Sequence, residues 1–355
     1  MRRIHVDKLN NDMVLAKTIY SSDGNILLNA GIKLKEIYIN RFRELGITEI
    51  YIDDHISHDI VADDVISEET RFEARIAVKH AMDSMKMRNS LNIKQARNVV
   101  GKIVDELMNV PDAMVNLQDL KTTDNYTFNH SANVCVLSVI TGISMGYDKE
   151  RLRQLGLGAL LHDIGKVKIP QEILNKPASL TPEEFEEIKK HSSYGYEILK
   201  RSMDLSTYAS YVALTHHERY NGSGYPLGLR GEEIHEFSRI VAVADVYDAL
   251  TSDRVYKKRS NINDAIEYLI GMGYHQFDYG IVRNFIEHIA IYPSGVCVKL
   301  NTGEIAIVVD VNKKYPNRPI VRIFKDRDGN EIKELNEIDL TKYNNILIED
   351  IIEDI

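Results

Sequence analysis

The sequence predicts a mainly α-helical protein with a small α+β module at one end and a small antiparallel β module at the other. Short strand-like runs separated by turn signals occupy residues 1–62, and strand-like alternation returns in residues 292–355. Between them, apolar residues recur at helical spacing through residues 63–291. At 355 residues the chain has room for two or three domains with a sizeable core.

The N-terminal module, residues 1–62, contains a predicted hairpin followed by a helix and a further strand. Residues 13–20 and 25–29 flank Ser21-Ser-Asp-Gly24, where glycine supplies the positive φ of a tight turn. Residues 36–45 predict a helix that ends before Gly46, and residues 48–52 predict a strand. The module has no phosphate-binding loop or cofactor motif. A sensory or interaction role and a structural cap are both open.

Residues 63–111 predict a helical hairpin. Ser67 is a candidate N-cap for the first helix, and the second carries apolar residues at helical spacing until Pro111 stops it. The hairpin is either a homodimer seam through helices 67–109 or a pair of helices packed on the next domain. The sequence leaves both interpretations open.

Residues 112–291 are predicted to be helical almost throughout, with one long loop. Thr181 followed by Pro182 predicts the start of a helix, while four glycines and Pro226 mark residues 219–231 as a loop. Residues 292–355 then alternate as three or more antiparallel strands. We expect the tail, residues 346–355, to be a solvated, packed end.

Composition excludes several classes of protein. The apolar fraction is 44%, the charged fraction is 27% and the net charge is −9, which argues against a general binder of nucleic-acid polymers. No stretch approaches 18 uninterrupted apolar residues, so we expect no membrane span. The first residues lack the apolar core of a signal peptide, and Cys135 and Cys297 suit reduced, buried thiols. We therefore expect a cytoplasmic protein.

One constellation of residues can carry chemistry. The adjacent pair His162-Asp163 would place two metal-capable side chains about 100° apart on a helix, so both could face one ion. Further candidate ligands are His130, His191, His216, His217 and Asp245. A carboxylate able to bridge two cations, together with several imidazoles and a second carboxylate, is the ligand mixture of a di-metal hydrolase.

These motifs resemble the HD-GYP family, a branch of the HD-domain phosphohydrolases. The resemblance rests on His130, His162-Asp-Ile-Gly-Lys166, His191, His216-His-Glu218, Gly222-Ser-Gly-Tyr-Pro226 and Asp245, in the family's order over about residues 110–290. It implies that residues 112–291 form a helical HD-type bundle that acts as a metal-dependent phosphodiesterase domain.

The resemblance also implies which residues hold metal. One cation would be bound by His130, His162, Asp163 and Asp245, and the second by Asp163 as a bridge with His191, His216 and His217. Two divalent transition metals, Fe or Mn, are expected. Some members of the family recruit a third metal through a Glu four residues before the first His, but Tyr126 stands there in this sequence.

The implied activity is hydrolysis of cyclic di-GMP to pGpG in bacterial second-messenger signalling, with continuation to GMP left open. Asp163 and Lys166 would be catalytic, and Lys166 is expected one helical turn beyond His162. Substrate contacts are expected from Gly224, Tyr225, Asp248, Arg254 and Lys257. The alternatives are a hydrolase of another cyclic dinucleotide and a non-catalytic cyclic di-GMP receptor.

Overall fold

The computed structural model describes residues 1–21, 25–62, 64–88, 90–110, 114, 126–202, 205–252, 261–312 and 314–352. The chain folds into two compact units. The terminal unit contains Met1–Asp64 and Ile289–Ile355, and the helical unit contains Val65–Ala113 and Asn125–His288. Both chain ends therefore share one unit. The four-part division expected from the sequence stays a prediction.

The N-terminal part of the terminal unit is a small α+β module. Its strands are β1 (Arg2–His5), β2 (Val14–Leu15), β3 (Ile19–Tyr20), β4 (Ile26–Leu28) and β5 (Glu49–Asp53), with helix α1 (Glu36–Glu44). The antiparallel sheet has the order β1-β5-β2, and β3 pairs with β4 as the hairpin pattern predicted. Ile4, Leu15, Phe42, Ile50 and Ile52 lie in a shared apolar core.

The C-terminal part of the same unit is a five-stranded antiparallel sheet, which confirms the predicted β module. Its strands are β6 (Cys297–Leu300), β7 (Ile305–Asp310), β8 (Ile320–Lys325), β9 (Glu331–Asp339) and β10 (Ile348–Ile351), in the order β10-β6-β7-β8-β9. The tail differs from expectation because it forms β10 and pairs with β6. Ile348 and Ile351 pack on the sheet's core, which explains why the tail is ordered into a strand.

The two parts of the terminal unit are joined by hydrogen bonds. The Arg3 amide donates to the Gly295 carbonyl at 2.9 Å. Arg322 of β8 donates to the Asp59 carboxylate at 2.7 and 2.6 Å and to the Ile56 carbonyl at 2.8 Å. Because the Arg322 guanidinium is buried, these bonds satisfy a charge that would otherwise be costly to remove from water.

The helical unit confirms the predicted mainly α bundle. Its helices are α2 (Glu68–Arg88), α3 (Lys94–Asn109), α4 (Tyr126–Ser144), α5 (Lys149–Leu160), α6 (Gln171–Leu174), α7 (Pro182–Leu199), α8 (Thr207–Thr215), α9 (Glu236–Thr251), α10 (Ile262–Gly271) and α11 (Tyr279–Ile286). Helix α7 begins as predicted, because Thr181 caps the Glu184 amide and the Glu184 side chain bonds back to the Thr181 amide.

Helix α3 buries its apolar stripe within the chain, against α4 and α5. This is the packing alternative for the predicted hairpin, so a dimer seam would have to use the outward faces of α2 and α3. A homodimer through helices 67–109 stays a prediction.

Among the described residues, no helix is both long enough and apolar enough to span a bilayer. Cys135 and Cys297 are free and buried.

Candidate metal centre

Glycine positions set the approach of α5 to its neighbours and so place the His162-Asp163 pair. A Cβ on Gly156 would lie 2.9 Å from both Val100 of α3 and Val139 of α4, and one on Gly158 would lie 3.0 Å from Val212 of α8. These close contacts hold α5 tightly between three helices. The end of α5 is thereby fixed deep in the bundle.

The backbone after α5 departs from the predicted continuous helix. Helix α5 ends at Leu160, and Ile164–Lys168 forms a 3₁₀ turn. Gly165 explains the change, since a Cβ there would lie 1.9 Å from the His191 carbonyl oxygen, so the turn packs backbone against backbone on α7. The prediction that Lys166 follows His162 by one turn of α-helix is therefore wrong. Lys166 instead forms an ion pair with Asp163.

The candidate ligands come from different elements and meet in one cluster. His130 lies on α4, His191 on α7, His216 and His217 at the end of α8, and Asp245 on α9. Two groups of potential ligand atoms that lie within 4.8 Å of one another contain His162: one is His130, His162 and Asp245, and the other is His162, Asp163 and His216. A third such group is His191, His216 and His217.

Asp163 occupies the middle of this cluster. One carboxylate oxygen, Oδ1, lies 3.5 Å from Nε2 of His191 and 4.0 Å from Nε2 of His216. The other, Oδ2, lies 3.4 Å from Nε2 of His162 and 4.0 Å from Nε2 of His130. The two oxygens thus face different groups of imidazoles, as expected of a carboxylate that bridges two cations.

Asp245 joins the same cluster from α9. Its Oδ1 lies 3.0 Å from Nε2 of His130, and its Oδ2 lies 3.8 Å from Nδ1 of His217. All seven predicted metal-binding side chains therefore lie together in the structure.

Three of the histidines, His162, His191 and His216, are oriented so that Nε2 can act as a metal ligand. Nδ1 of His162 donates to the Ala159 carbonyl at 2.7 Å, Nδ1 of His191 to the Ile188 carbonyl at 2.6 Å, and Nδ1 of His216 to the Val212 carbonyl at 3.0 Å. A hydrogen bond from the other ring nitrogen is how proteins fix the tautomer of metal-binding histidines. Nε2 of His162 is buried and has no hydrogen-bond partner among the residues that the structure describes, and a divalent cation would satisfy it. The donor set fits a transition metal.

Electrostatics agree with this assignment. Burial lowers the pKa of His191 and His216, so both imidazoles are neutral and able to donate a lone pair. Burial alone would raise the pKa of Asp163, but Lys166 and the surrounding imidazoles outweigh it and hold that pKa well below its usual range. Asp163 is therefore an ionised carboxylate that faces two neutral imidazoles, those of His191 and His216.

His130 differs from the other histidines in having carboxylates on both sides of its ring. Burial opposes its charged form, but hydrogen bonds to Asp245 and Asp248 outweigh burial and raise the pKa of His130 to about 9. Nδ1 donates to Asp248 at 2.7 Å, while Nε2 faces Asp245. A cation between Nε2 and Asp245 would take the place of the proton there.

Asp248, which the sequence predicts to contact substrate, lies behind His130 in the structure. Its side chain is buried, Oδ2 accepts from His130, and Oδ1 accepts from Nδ2 of Asn133 at 2.8 Å. Arg71 of α2 donates in turn to Oδ1 of Asn133 at 3.3 Å. Both carboxylate oxygens are therefore engaged behind His130, where they orient the imidazole. Sequence reasoning missed Asn133, whose only signal is its place one turn after His130.

The loop of residues 219–231 is fastened to the end of α8 by Glu218. This buried carboxylate accepts hydrogen bonds from the amides of Leu227, Gly228 and Leu229 at 2.7, 3.2 and 3.1 Å. Gly224 lies so close to the same segment that a Cβ would be 2.4 Å from Cα of Glu218. The sequence motif contains Glu218, but the sequence did not indicate that its carboxylate holds the loop in place. At Gly224 the structure shows that there is no room for a side chain.

Tyr225 lies at the edge of the cluster. Its ring stacks on His217 with centroids 4.8 Å apart, and its amide donates to the His217 carbonyl at 3.3 Å. Lys166 and His217 are about one quarter exposed, at 26% and 28%, whereas Asp163 is 2% exposed. The cluster is therefore accessible from the side formed by Lys166, His217 and Tyr225. Arg254, Lys257 and the side chain of Tyr126 lie outside the described part of the chain.

Comparison with known proteins agrees with this geometry. Residues 107–281 match the HD domain family, and residues 297–354 match a KOW domain associated with HD domain. A cyclic di-GMP phosphodiesterase of Pseudomonas aeruginosa is 37% identical over 251 residues, which cover 71% of this chain and 60% of that protein. A cyclic di-GMP phosphodiesterase of Thermotoga maritima is 34% identical over 241 residues, covering 64% of this chain and 65% of that protein.

Among solved structures, one described as an HDG"Y"P protein from Bdellovibrio bacteriovorus superposes with a TM-score of 0.51. It covers 80% of this chain and 97% of its own, and at 18% identity it supports the fold alone. The present chain spans 60%, 58% and 65% of the length of three curated relatives. Residues 107–281 are therefore similar to HD domains, and the His/Asp motifs within them are similar to those of the HD-GYP branch.

Proposed function

We propose that this protein is a metal-dependent phosphodiesterase that opens cyclic di-GMP to linear pGpG. The observation that carries the proposal is the convergence of five imidazoles and two carboxylates on one partly open cluster, with Asp163 at its centre. The curated relatives named as cyclic di-GMP phosphodiesterases supply the substrate class. Continuation from pGpG to GMP is a second reaction that the same centre could perform.

We propose two divalent cations, Fe or Mn, in this centre. His130, His162, Asp163 and Asp245 would hold one, and Asp163, His191, His216 and His217 the other. When bound, the cations would supply Lewis acidity and lower the pKa of a water molecule between them. The protein's own contribution is to fix the imidazoles through their Nδ1 hydrogen bonds and to keep Asp163 ionised.

Lys166 has the position expected of a residue that meets the scissile phosphate. Its ammonium contacts Asp163, and it is one quarter exposed on the accessible side of the cluster. A cation there attracts the non-bridging oxygens and offsets negative charge as it develops on the leaving oxygen. Tyr225, stacked on His217, forms the opposite edge of the opening. Arg254 and Lys257 remain proposed phosphate contacts from the sequence.

Another cyclic dinucleotide is a second candidate substrate, because a 3'3'-cGAMP-specific phosphodiesterase of Vibrio cholerae is 37% identical over 166 residues. The receptor alternative is less well supported, since all seven ligand positions are present and grouped.

Product analysis tests the proposal. The full chain, loaded anaerobically with iron or manganese, is incubated with cyclic di-GMP, 3'3'-cGAMP and cyclic di-AMP, and products are separated by chromatography. We expect cyclic di-GMP to be the best substrate and pGpG to appear first. Chelator-treated protein and Asp163→Asn serve as controls. Tight binding of cyclic di-GMP without turnover in either metal form would favour the receptor and overturn the proposal.

A further inference from the structure

A row of aromatic and charged side chains leads outward from the metal centre along α7. Nζ of Lys189 lies 5.4 Å from the centroid of the Tyr225 ring and 4.9 Å from the centroid of the Phe185 ring. Tyr225 stacks in turn on His217. Each neighbour in this row is thus in contact with the next, from a candidate metal ligand to the surface.

The outer end of the row is exposed and carries both signs of charge. Phe185 is 47% exposed, which is unusual for a phenylalanine in the helical unit. Nζ of Lys189 donates to Oε1 of Glu186 at 2.6 Å, and the Glu186 side chain is 66% exposed. An aromatic face, an ammonium and a carboxylate are therefore presented together beside Tyr225. None of the steps proposed for the reaction uses them.

The same local pattern recurs at the other end of α7, where it can serve as a reference. Lys200 lies 5.3 Å from the centroid of the Tyr196 ring and pairs with Glu197, at the same spacing in sequence. A lysine that contacts an aromatic ring and a glutamate is therefore an ordinary feature of the surface of this helix. Of these two groups, only the one that contains Phe185 also contacts Tyr225, through Lys189, and so lies next to the opening of the metal centre.

We propose that Phe185, Glu186 and Lys189 form the subsite for the guanine base that lies farther from the metals. This inference rests on the proposed function and names a binding site for the same substrate. A cyclic dinucleotide carries two bases, and when one phosphate meets the cations the rest of the ring must lie over a neighbouring surface. The base stacks on the exposed face of Phe185, as bases stack on aromatic side chains in other nucleotide sites.

The two charges select guanine over adenine. The Watson–Crick edge of guanine presents N1–H and N2–H donors, which pair with a carboxylate such as Glu186. Its O6 and N7 are acceptors, which suit the Lys189 ammonium. Adenine presents an N6 donor and no N2 donor, so it cannot satisfy both charges in the same pose. The subsite therefore recognises which base is present, whereas the metals would bind the phosphate.

Equilibrium binding tests the subsite separately from turnover. Chelator-treated full-length protein is titrated calorimetrically with cyclic di-GMP and with cyclic di-AMP, which has no guanine in either position. The test variants are Phe185→Ala, Glu186→Gln and Lys189→Met. The matched controls are Glu197→Gln and Lys200→Met, and thermal unfolding establishes that every variant is folded.

We expect Phe185→Ala to weaken binding of cyclic di-GMP about five- to hundredfold, the range for losing one base–aromatic stack. Glu186→Gln and Lys189→Met should reduce the preference for cyclic di-GMP over cyclic di-AMP, while the two controls keep it. If the parent hydrolyses cyclic di-GMP but the three variants bind it like the parent, the subsite is wrong and the proposed function stands. If the parent neither binds nor hydrolyses cyclic di-GMP, both fail. Equal weakening in test and control variants would also overturn the subsite.

Discussion

The Asp248 carboxylate accepts a hydrogen bond from Nδ1 of His130 at 2.7 Å, while Nε2 of the same ring lies 3.0 Å from Asp245. Asn133 donates to the other oxygen of Asp248, and Arg71 donates to Asn133. A candidate metal ligand is thus supported by a chain of hydrogen-bonded side chains that reaches from α9 through the half-buried Asn133 of α4 to α2. Partners of this kind orient a ligand and raise its basicity.

Replacing Asp248 should therefore weaken metal binding while leaving every proposed ligand in place. For Asp248→Asn we expect a loss of about 10- to 100-fold in affinity for the cation held by His130, the usual effect of removing such a partner. A competition titration against a chelator measures it. Asp264→Asn, an exposed change on α10, is the control. If Asp248→Asn binds the cation as tightly as the parent, the hydrogen bond between His130 and Asp248 does not contribute to metal binding.

The bridging position gives a second prediction. Asp163→Asn keeps the side chain's shape but removes the charge that faces both groups of imidazoles, so turnover should fall by about 10³-fold or more. Bound metal should fall as well, and the fold should survive because the helices pack independently of this group. Steady-state kinetics and elemental analysis on the same preparation measure both effects. If Asp163→Asn keeps half of the parent's turnover, Asp163 does not bridge two catalytic cations.

The sequence predicted most of the fold because its signals are local. The capping box at Thr181, the hairpin between β3 and β4, and the strands after residue 296 all follow from residues close to one another in the chain. The ordering of the tail as β10 could not be predicted, since its partner β6 lies about fifty residues away and the pairing depends on a core shared across that distance.

The sequence was enough to predict which residues form the candidate site, but it was not enough to predict how their backbone and side chains are arranged. The ligand types and their order were sufficient to identify the cluster. The 3₁₀ turn after Asp163 could not be predicted from the sequence. It depends on the close packing of Gly165 against the backbone of α7, which is distant in the sequence. The hydrogen bonds that Asp248 accepts from His130 and Asn133 could not be predicted for a similar reason, because these two residues come from another helix.

Glu218 should determine whether the 219–231 loop holds its shape. Its carboxylate accepts from three backbone amides, and Glu218→Gln would place an amide donor against some of them. Leaving buried donors unpaired costs about 1–3 kcal/mol, so the loop should loosen. We expect kcat/KM for cyclic di-GMP to fall about tenfold, with metal content unchanged. Glu232→Gln, in the same loop region but exposed, is the control. Loss of metal in Glu218→Gln would instead indicate a role at the centre.

The pair between Arg322 and Asp59 should make stability of the terminal unit depend on pH. Hydrogen bonds from Arg322 hold the pKa of Asp59 below its usual range, so the folded state favours the carboxylate. A depressed pKa contributes stability above the unfolded pKa of about 4 and loses it as pH falls towards the folded value. Asp59→Asn should therefore be less stable than the parent at pH 7, and the difference should shrink below about pH 4.

Urea unfolding of parent and Asp59→Asn at several pH values measures this dependence. Asp328→Asn, at an exposed turn of the same unit, is the control and should show no comparable change between pH 7 and pH 4. A difference between parent and Asp59→Asn that stays constant over this range would exclude the ion pair as its source.

The last prediction separates binding of substrate from chemistry. Lys166 contacts the bridging Asp163 and faces the opening of the centre, so it is placed to act on charge that develops in the transition state. Losing such a contact lowers kcat, whereas losing a contact made equally in the ground state raises KM. We therefore expect Lys166→Ala to slow turnover of cyclic di-GMP by roughly 10²-fold or more. For Arg254→Ala we expect substrate affinity to weaken by about 1.5–3 kcal/mol, the range for a charge-assisted hydrogen bond.

Steady-state kinetics on both variants at equal metal content decides between these roles. Metal content must be measured, because Lys166 also neutralises part of the charge on Asp163 and its removal changes the field at the centre. Lys168→Ala, on the same 3₁₀ turn and exposed, is the matched control for Lys166. If Lys166→Ala raises KM and Arg254→Ala lowers kcat, the two roles must be exchanged. If neither variant differs from the parent, the scissile phosphate does not lie between these residues, because a cation in contact with it could not be removed without loss.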